Sequence, residues 1–464
     1  MEFDHVLLSR IQFGFTVTFH IIFPAFTIGL SAFIAVLLAR WAYTDDPRFR
    51  DLARFWIKIF AVSFAMGVVS GLVLSYEIGT NWSHFSKAVG NVIGPLLAYE
   101  VLTAFFLEAT FLGILLFGHN RVPRWLHVTS AIMVAIGTAT SAFWILSANS
   151  WMQYPTGYEV RDGIAYPMHW GKIVLNPTFP LRFAHMVTAA YLTTAIVVLA
   201  VGARFALAGV FPQHARTMLR MGLGLALILV PLQIFIGDQH GLDTAEYQPA
   251  KLAAIEAHWD GAKPAPFVFF AWPDLQAEMN RFAIAIPHVG SLLITHEWDG
   301  TFQGLKDFTP QDRPPVAPVF FAFRIMVGIG FLLLGLVLWG AIVWLKGELA
   351  TNRAFLRVAA ISWPVGFIAI IAGWIVTEVG RQPWVATGLF RTADAASPLT
   401  TAPVAGSLGL FVLVYGIVFS TGIYAINRLI NKGPTPEVLE EEGGLPSRPL
   451  SAVSGGVATS AGEE

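Results

Sequence analysis

The sequence predicts an all-α integral membrane protein, a bundle of about nine transmembrane helices with one long extracytoplasmic loop between helices six and seven. Three observations carry this. Of 464 residues, 55% are hydrophobic and only 13% charged, with a mean hydropathy of +0.62, more apolar surface than a soluble core of that length hides. Apolar runs of about twenty residues, enough to cross about 30 Å of hydrocarbon, recur about nine times. Lys and Arg gather on alternate connections. The composition excludes a soluble single-domain enzyme and a disordered scaffold, and a net charge of −1 offers no basic excess for nucleic acid. The absence of cysteine excludes iron–sulfur clusters, blue copper, thiolate zinc sites, disulfides and covalent c-type haem. Any metal must rest on His, Met, Glu or Asp.

The spans are predicted at 11–39, 57–79, 91–118, 125–148, 183–207, 218–237, 318–345, 359–379 and 405–427. Arg10 precedes a run longer than a signal-peptide core, and no clean small-residue cleavage site follows, so this run is the first span. Lys and Arg on connections 1–2, 3–4, 5–6, 7–8 and the C-terminal tail outnumber those opposite by about two to one, which places the basic side in the cytoplasm. The N-terminus and the connection between spans six and seven, about 80 residues long, then lie outside. Four regions follow: spans one to six over 1–237, the extracytoplasmic loop over 238–317, spans seven to nine over 318–430, and a disordered cytoplasmic tail over 431–464. The pairs Gly222/Gly224 and Gly328/Gly330 read as helix-packing small residues. No repeat halves or broken spans are expected.

An ionisable side chain in a span costs at least about 2.5 kcal/mol and asks for a partner or a task. His20 in span one, Glu100 and Glu108 in span three, His185 in span five and Glu378 in span eight are the candidates. The predicted orientation places His20, Glu100, His185 and Glu378 in the outer half of the membrane. Met326, near the start of span seven, matches His185 in depth, and a His/Met pair is an axial set for a six-coordinate haem. The alternatives are packing for Met326 and a hydrogen-bonded structural role for His185. Glu100 and Glu108 lie about 12 Å apart along one helix and nearly on one face. That spacing suits a proton relay, and equally two buried acids bonded to Ser or Thr.

Residues 373–384, GWIVTEVGRQPW, resemble the GWxxxExGRQPW signature of subunit I of cytochrome bd-type quinol oxidases. Residues 251–259, KLAAIEAHW, resemble that family's quinol-binding loop and fall in the long connection. Residues 9–13 with His20, 79–82, 144–149 and 323–326 also match, in order, over about residues 5 to 430. The compact connection resembles the short quinol-loop type, and leaves open membership of the cyanide-insensitive branch.

The resemblance implies an enzyme that oxidises quinol and reduces dioxygen to water with three non-covalent haems, b558, b595 and a chlorin-type haem d. It implies His185 and Met326 as ligands of b558, with Arg324 balancing haem charge, and His20 and Glu378 as ligands of the other two. Trp374, Arg381, Gln382 and Trp384 of the signature would surround the cofactors. Glu100 would be a ligand or proton donor, and Glu108 with Ser141 a proton route from the cytoplasm. Lys251 and Glu256 would form the quinol site. Quinol oxidation outside and proton uptake from inside would separate charge across the bacterial inner membrane without a pump. Implied partners are a homologous multi-span subunit II, a small single-span subunit and membrane lipid, with no nucleic acid. The alternative from another class is a proton-coupled transporter without haem, for which repeat halves and broken helices would be the sign.

Overall fold

The computed structural model describes residues 4–118, 120–261 and 264–434. Among them are nine helices long and apolar enough to cross a membrane: His5–Thr44, Pro47–Thr80, Ser83–Phe117, Arg124–Gln153, Phe179–Ala208, Pro212–Tyr247, Val316–Leu345, Arg353–Val379 and Thr401–Lys432. They are called spans 1 to 9 below. The tail predicted over 431–464 lies, from residue 435 on, outside the described residues.

The helices start where side chains satisfy their first amides. Asp4 accepts from Leu7 N at 2.7 Å ahead of span 1, and Asp46 accepts from Arg48 N with Pro47 in the first turn of span 2. Gly209, at φ 70°, closes span 5 in the left-handed conformation that spares glycine a Cβ clash. Span 6 runs ten residues past its predicted end at 237, since nothing between the apolar run and Pro249 breaks the helix.

Two spans depart from a plain rod, against expectation. Span 3 contains a π-helical turn at Val101–Phe105. Span 8 is broken into Arg353–Ile361 and Val365–Val379, because Pro364 lacks an amide hydrogen and disfavours helix at the residue before it.

Spans 1 and 5 form the centre: 78% of each apolar window is buried, against 17–39% for the other seven. Span 1 touches spans 2, 4, 5, 8 and 9, and span 5 packs along span 6. A Cβ on Gly29 would lie 2.3 Å from Thr194 Oγ1, and one on Gly222 2.8 Å from the Ala195 carbonyl, so both glycines set how closely helices approach span 5. Gly224 faces Trp344, whereas Gly328 and Gly330 meet nothing within 4 Å. The packing role expected of that last pair is not exercised within this chain.

The connection between spans 6 and 7 carries the helix Pro249–Ile255, an antiparallel hairpin of Phe267–Asp274 with Met279–Ile286, and the helix Val289–Thr295. It caps the end of the bundle where spans 4 and 8 finish, called the loop end here.

Candidate functional site

The helix Pro249–Ile255 begins on Pro, preset for a first helical turn. Residues Lys251 to Ile255 are all buried, which drives the short helix onto the bundle rather than into water. Lys251 Nζ donates to Gln153 Oε1 at 2.5 Å and to Gln248 Oε1 at 2.8 Å. Gln153 Nε2 in turn donates to Glu378 Oε1 at 3.4 Å, and Arg182 Nη2 to Gln248 Oε1 at 2.8 Å. A Cβ on Gly380 would lie 2.9 Å from Lys251 Cγ, so this signature glycine makes room for the lysine stem. Burial, reinforced by the Arg182 and Arg381 guanidinium groups, holds the Lys251 ammonium well below the usual lysine range.

One residue past that helix, Glu256 is buried and accepts from Arg324 Nη2 at 2.8 Å. Arg324 also donates to the Val268 carbonyl, through Nε at 3.0 Å and Nη2 at 2.7 Å, and lies over the rings of Phe267 and Phe320. Arg324 stands two residues from Met326 on span 7. The Met326 sulfur lies 3.0 Å from where a Gly373 Cβ would be, so Gly373 of span 8 leaves a notch for the thioether. On span 5, both ring nitrogens of His185 lie 3.2 Å from Gln233 Nε2, and its ring centroid is 5.5 Å from that of His240, both on span 6. His185 thus faces span 6 and Met326 faces span 8, while span 7 packs against both of those helices.

Glu378 is the second centre. It accepts from Asn149 Nδ2 at 2.8 Å and pairs with Arg381, one helical turn on. Gln382 donates to the Glu378 carbonyl at 3.5 Å and accepts from Thr392. Trp374 is half-buried on span 8. Trp384 turns its ring to Arg391, whose guanidinium lies 4.4 Å from the ring centroid. His20 Nδ1 lies 2.9 Å from Ser70 Oγ, and a Cβ on Gly71 would lie 3.2 Å from His20 Cε1. One turn away on span 1, Thr16 donates at 2.8 Å to Glu77 of span 2, a buried acid.

Below them, Ser141 donates to Glu100 Oε1 at 2.8 Å. Glu108 is buried against Gly137, where a Cβ would lie 2.6 Å from Glu108 Cγ. Gly137 and Ser141 are one turn apart on span 4, so both acids of span 3 face the same stretch of one helix. Eight residues of regular α-helix would leave them about 80° apart in azimuth. The π turn between them holds more residues per turn and removes most of that offset.

Span 4 therefore meets Glu378 at Asn149, Glu100 at Ser141 and Glu108 at Gly137, in steps of about 12 Å and about 6 Å along its axis. Three acids from two other spans descend beside one helix. This arrangement can move protons in steps, and it places carboxylate, imidazole and thioether donors near glycine notches.

The sequence profile of the family described as cytochrome bd terminal oxidase subunit I matches residues 8–434. The chain belongs to that family. It is 34% identical to the cytochrome bd-II ubiquinol oxidase subunit 1 of Escherichia coli (strain K12), over 93% of this chain and 97% of that protein. It is 35% identical to the cytochrome bd ubiquinol oxidase subunit 1 of Bacillus subtilis (strain 168), over 90% of each. The bd oxidase structure from Geobacillus thermodenitrificans superposes with a TM-score of 0.85 at 32% identity, covering 93% of this chain and 99% of that one. Membership makes this bd subunit a multi-pass protein of the bacterial inner membrane and a haem protein, and it displaces the transporter reading.

The donor set fits haem. Gly71, Gly237 and Gly373 each leave room beside His20, His185 and Met326, where a methyl group would crowd the ring or sulfur at 3.0–3.3 Å. Buried nitrogens of Arg182, Arg324 and Arg381 have no hydrogen-bond partner among the described residues, the chemistry that propionates call for. Sequence reasoning missed Gln153, Gln248, Arg182 and Glu77. Glu77 was the findable one, an acid inside the predicted span 57–79. The glutamines are neutral, and Arg182 counted as a loop charge.

Proposed function

We propose that this subunit oxidises quinol at Lys251 and Glu256 and delivers the electrons to haems held at the loop end of the bundle, where dioxygen becomes water. The observation that carries this reading is the double attachment of one short segment. Lys251 reaches Glu378 through Gln153, and Glu256 reaches Arg324, two residues from Met326. A quinol seated between them would stand next to both centres.

Each quinol carries two electrons and two protons; two quinols supply the four electrons that one dioxygen needs to form two waters, and the four protons consumed come separately from inside. The Glu256 carboxylate, oriented by Arg324, is the group suited to take a quinol proton, and Lys251 to bind a quinol oxygen. When bound, haem supplies a one-electron iron couple and an open iron position for dioxygen. His185 and Met326, neutral and soft, suit the low-spin haem b558. His20 and Glu378 suit b595 and the chlorin-type haem d, with Trp374, Arg381, Gln382 and Trp384 around them. Buried Arg324 and Arg381 would balance propionate charge. All three haems would be non-covalent, in a chain without cysteine.

Glu100, about 12 Å below Glu378 along span 4, would pass protons up toward it, with Ser141 fixing its carboxylate and Glu108 feeding it from deeper in the membrane. With the loop end outside and the C-terminus in the cytoplasm, quinol protons leave outside and consumed protons enter from inside. Charge separates without a pump. A homologous multi-span subunit II completes the complex, with a small single-span subunit as a further partner.

Turnover of the purified complex tests the quinol site. Lys251→Met and Glu256→Ala should each cut quinol oxidation about tenfold or more, with haem content per protein near wild type. Loss of haem in parallel with activity would assign both residues to folding instead.

A further inference from the structure

The hairpin of Phe267–Asp274 and Met279–Ile286 is apolar where none of the described residues covers it. Phe269 is 63% exposed, Trp272 59%, Ile284 61% and Phe282 83%. A ribbon with one face on a core and one in water alternates apolar and polar residues. This one does not: six of the eight residues of Met279–Ile286 are apolar, and they are exposed on both faces. Phe282 also sits at φ 53°, a backbone region costly for a bulky side chain, beside the register shift opposite Phe270 and Trp272. A strained aromatic displayed to water has no evident return.

Polarity is confined to the turn end. There Asp274 pairs with Arg281, Glu278 pairs with Arg313 at 2.6 Å, and Asn280 bonds Trp259 at 3.0 Å, tying the turn to the body of the connection. The apolar base instead lies against span 7. The rings of Phe270 and Trp272 stand 6.1 Å and 5.8 Å from Phe321, and the Val268 carbonyl holds Arg324. Those contacts fall on the second and third turns of a membrane-crossing helix, about 8–12 Å along it from Val316. On the same helix, exposed Ile325 and Leu332 continue the apolar surface toward the membrane centre.

We propose that this hairpin is a membrane-interface element whose apolar base lies among the lipid acyl chains beside span 7, with its turn at headgroup level or above. Continuity with the lipid-facing surface of span 7 selects lipid as the occupant. Phe and Trp at that depth form the aromatic belt expected where protein meets the bilayer surface. Burial of Phe282 in lipid offsets the strain of its backbone. The placement does not depend on the proposed quinol site, although through Val268 and Arg324 the hairpin holds one side of it.

The chain has no cysteine, so single labels can be placed cleanly. Phe269→Cys and Phe282→Cys would be labelled with bimane in the whole complex in lipid nanodiscs. Gln276→Cys at the turn serves as the water reference and Phe331→Cys on span 7 as the lipid reference, and the unsubstituted complex corrects for labelling of other subunits. Intensity ratios with and without quencher cancel any haem contribution. Nitroxide-bearing lipids should quench positions 269 and 282 at least half as strongly as 331, and aqueous iodide should quench them less than a quarter as strongly as 276. Iodide quenching equal to that at 276 would overturn the proposal, since the hairpin would then be in water. Protection from both quenchers would overturn it too, because a protein partner would then cover the patch.

Discussion

The Arg324–Glu256 pair would join the two proposed roles in one contact, and its cost is set by burial. The two side chains are 13% and 6% exposed. Removing one member of so buried a pair leaves the other charge without its counter-ion, an effect of about 3–5 kcal/mol. Glu256→Gln keeps an oxygen acceptor for Arg324, whereas Glu256→Ala does not. Both substitutions should abolish most quinol turnover, and thermal unfolding should show a larger drop in Tm for Glu256→Ala. Equal drops would mean that the acceptor oxygen kept by Gln contributes nothing to the fold. Lys251 makes a pH-dependent contribution. Its folded pKa lies well below the ordinary value near 10.4. Between those two values the unfolded chain binds more protons than the folded one, so this group's contribution favours the folded state increasingly as pH rises through that window. The stability difference between wild type and Lys251→Met should therefore shift toward wild type on going from neutral to alkaline pH, and a difference flat with pH would refute the shift. Lys251, Glu256 and Glu378 were legible because charged residues stand out in an apolar sequence and sit in recognisable motifs. Gln153 and Gln248, which connect them, carry no charge and no periodic signal, so only the packing of the helix Pro249–Ile255 on spans 6 and 7, which seats Lys251 against Gln153 and Gly380, brings them into view.

The elements themselves were legible to different degrees. Nine spans follow from the length of apolar runs, but the helices start before those runs, at the caps Asp4 and Asp46 rather than at 11 and 57, because a polar cap lies outside the apolar pattern. The π turn at Val101–Phe105 has no sequence mark, because its residues VLTAF suit a regular helix equally well. Yet it turns Glu100 and Glu108 toward one stretch of span 4. Gly137 on that helix is the other half of the fit, and Gly137→Ala would drive a methyl group to 2.6 Å from Glu108 Cγ. Time-resolved spectroscopy should then find oxygen reduction slowed about tenfold, with electron entry from quinol unchanged. Equal slowing of both phases would remove Glu108 from the proton route. Gly373→Ala acts on span 8 in the same way, since its methyl group meets the Met326 sulfur at 3.0 Å. It should weaken the low-spin b signal in the absorption spectrum while sparing the chlorin band, and an unaltered b signal would show that the notch is not needed.

At the scale of the molecule, spans 1 and 5 supply the buried centre and the remaining spans spread their apolar faces outward. Composition foretold this, because a chain with 55% hydrophobic residues cannot bury them all against itself. What composition could not foretell is the convergence of the long connection on two centres at once. That convergence depends on span 6 continuing to Tyr247 and on the break in span 8, both tertiary matters. The central claim is that His185 and Met326 hold a haem beside the point where Glu256 and Arg324 meet. A reduced-minus-oxidised difference spectrum of the intact complex tests it most directly, with His185→Ala and Met326→Leu beside wild type. The account expects each substitution to erase the low-spin b component while the high-spin and chlorin components persist. A low-spin b signal unchanged in both variants would contradict it.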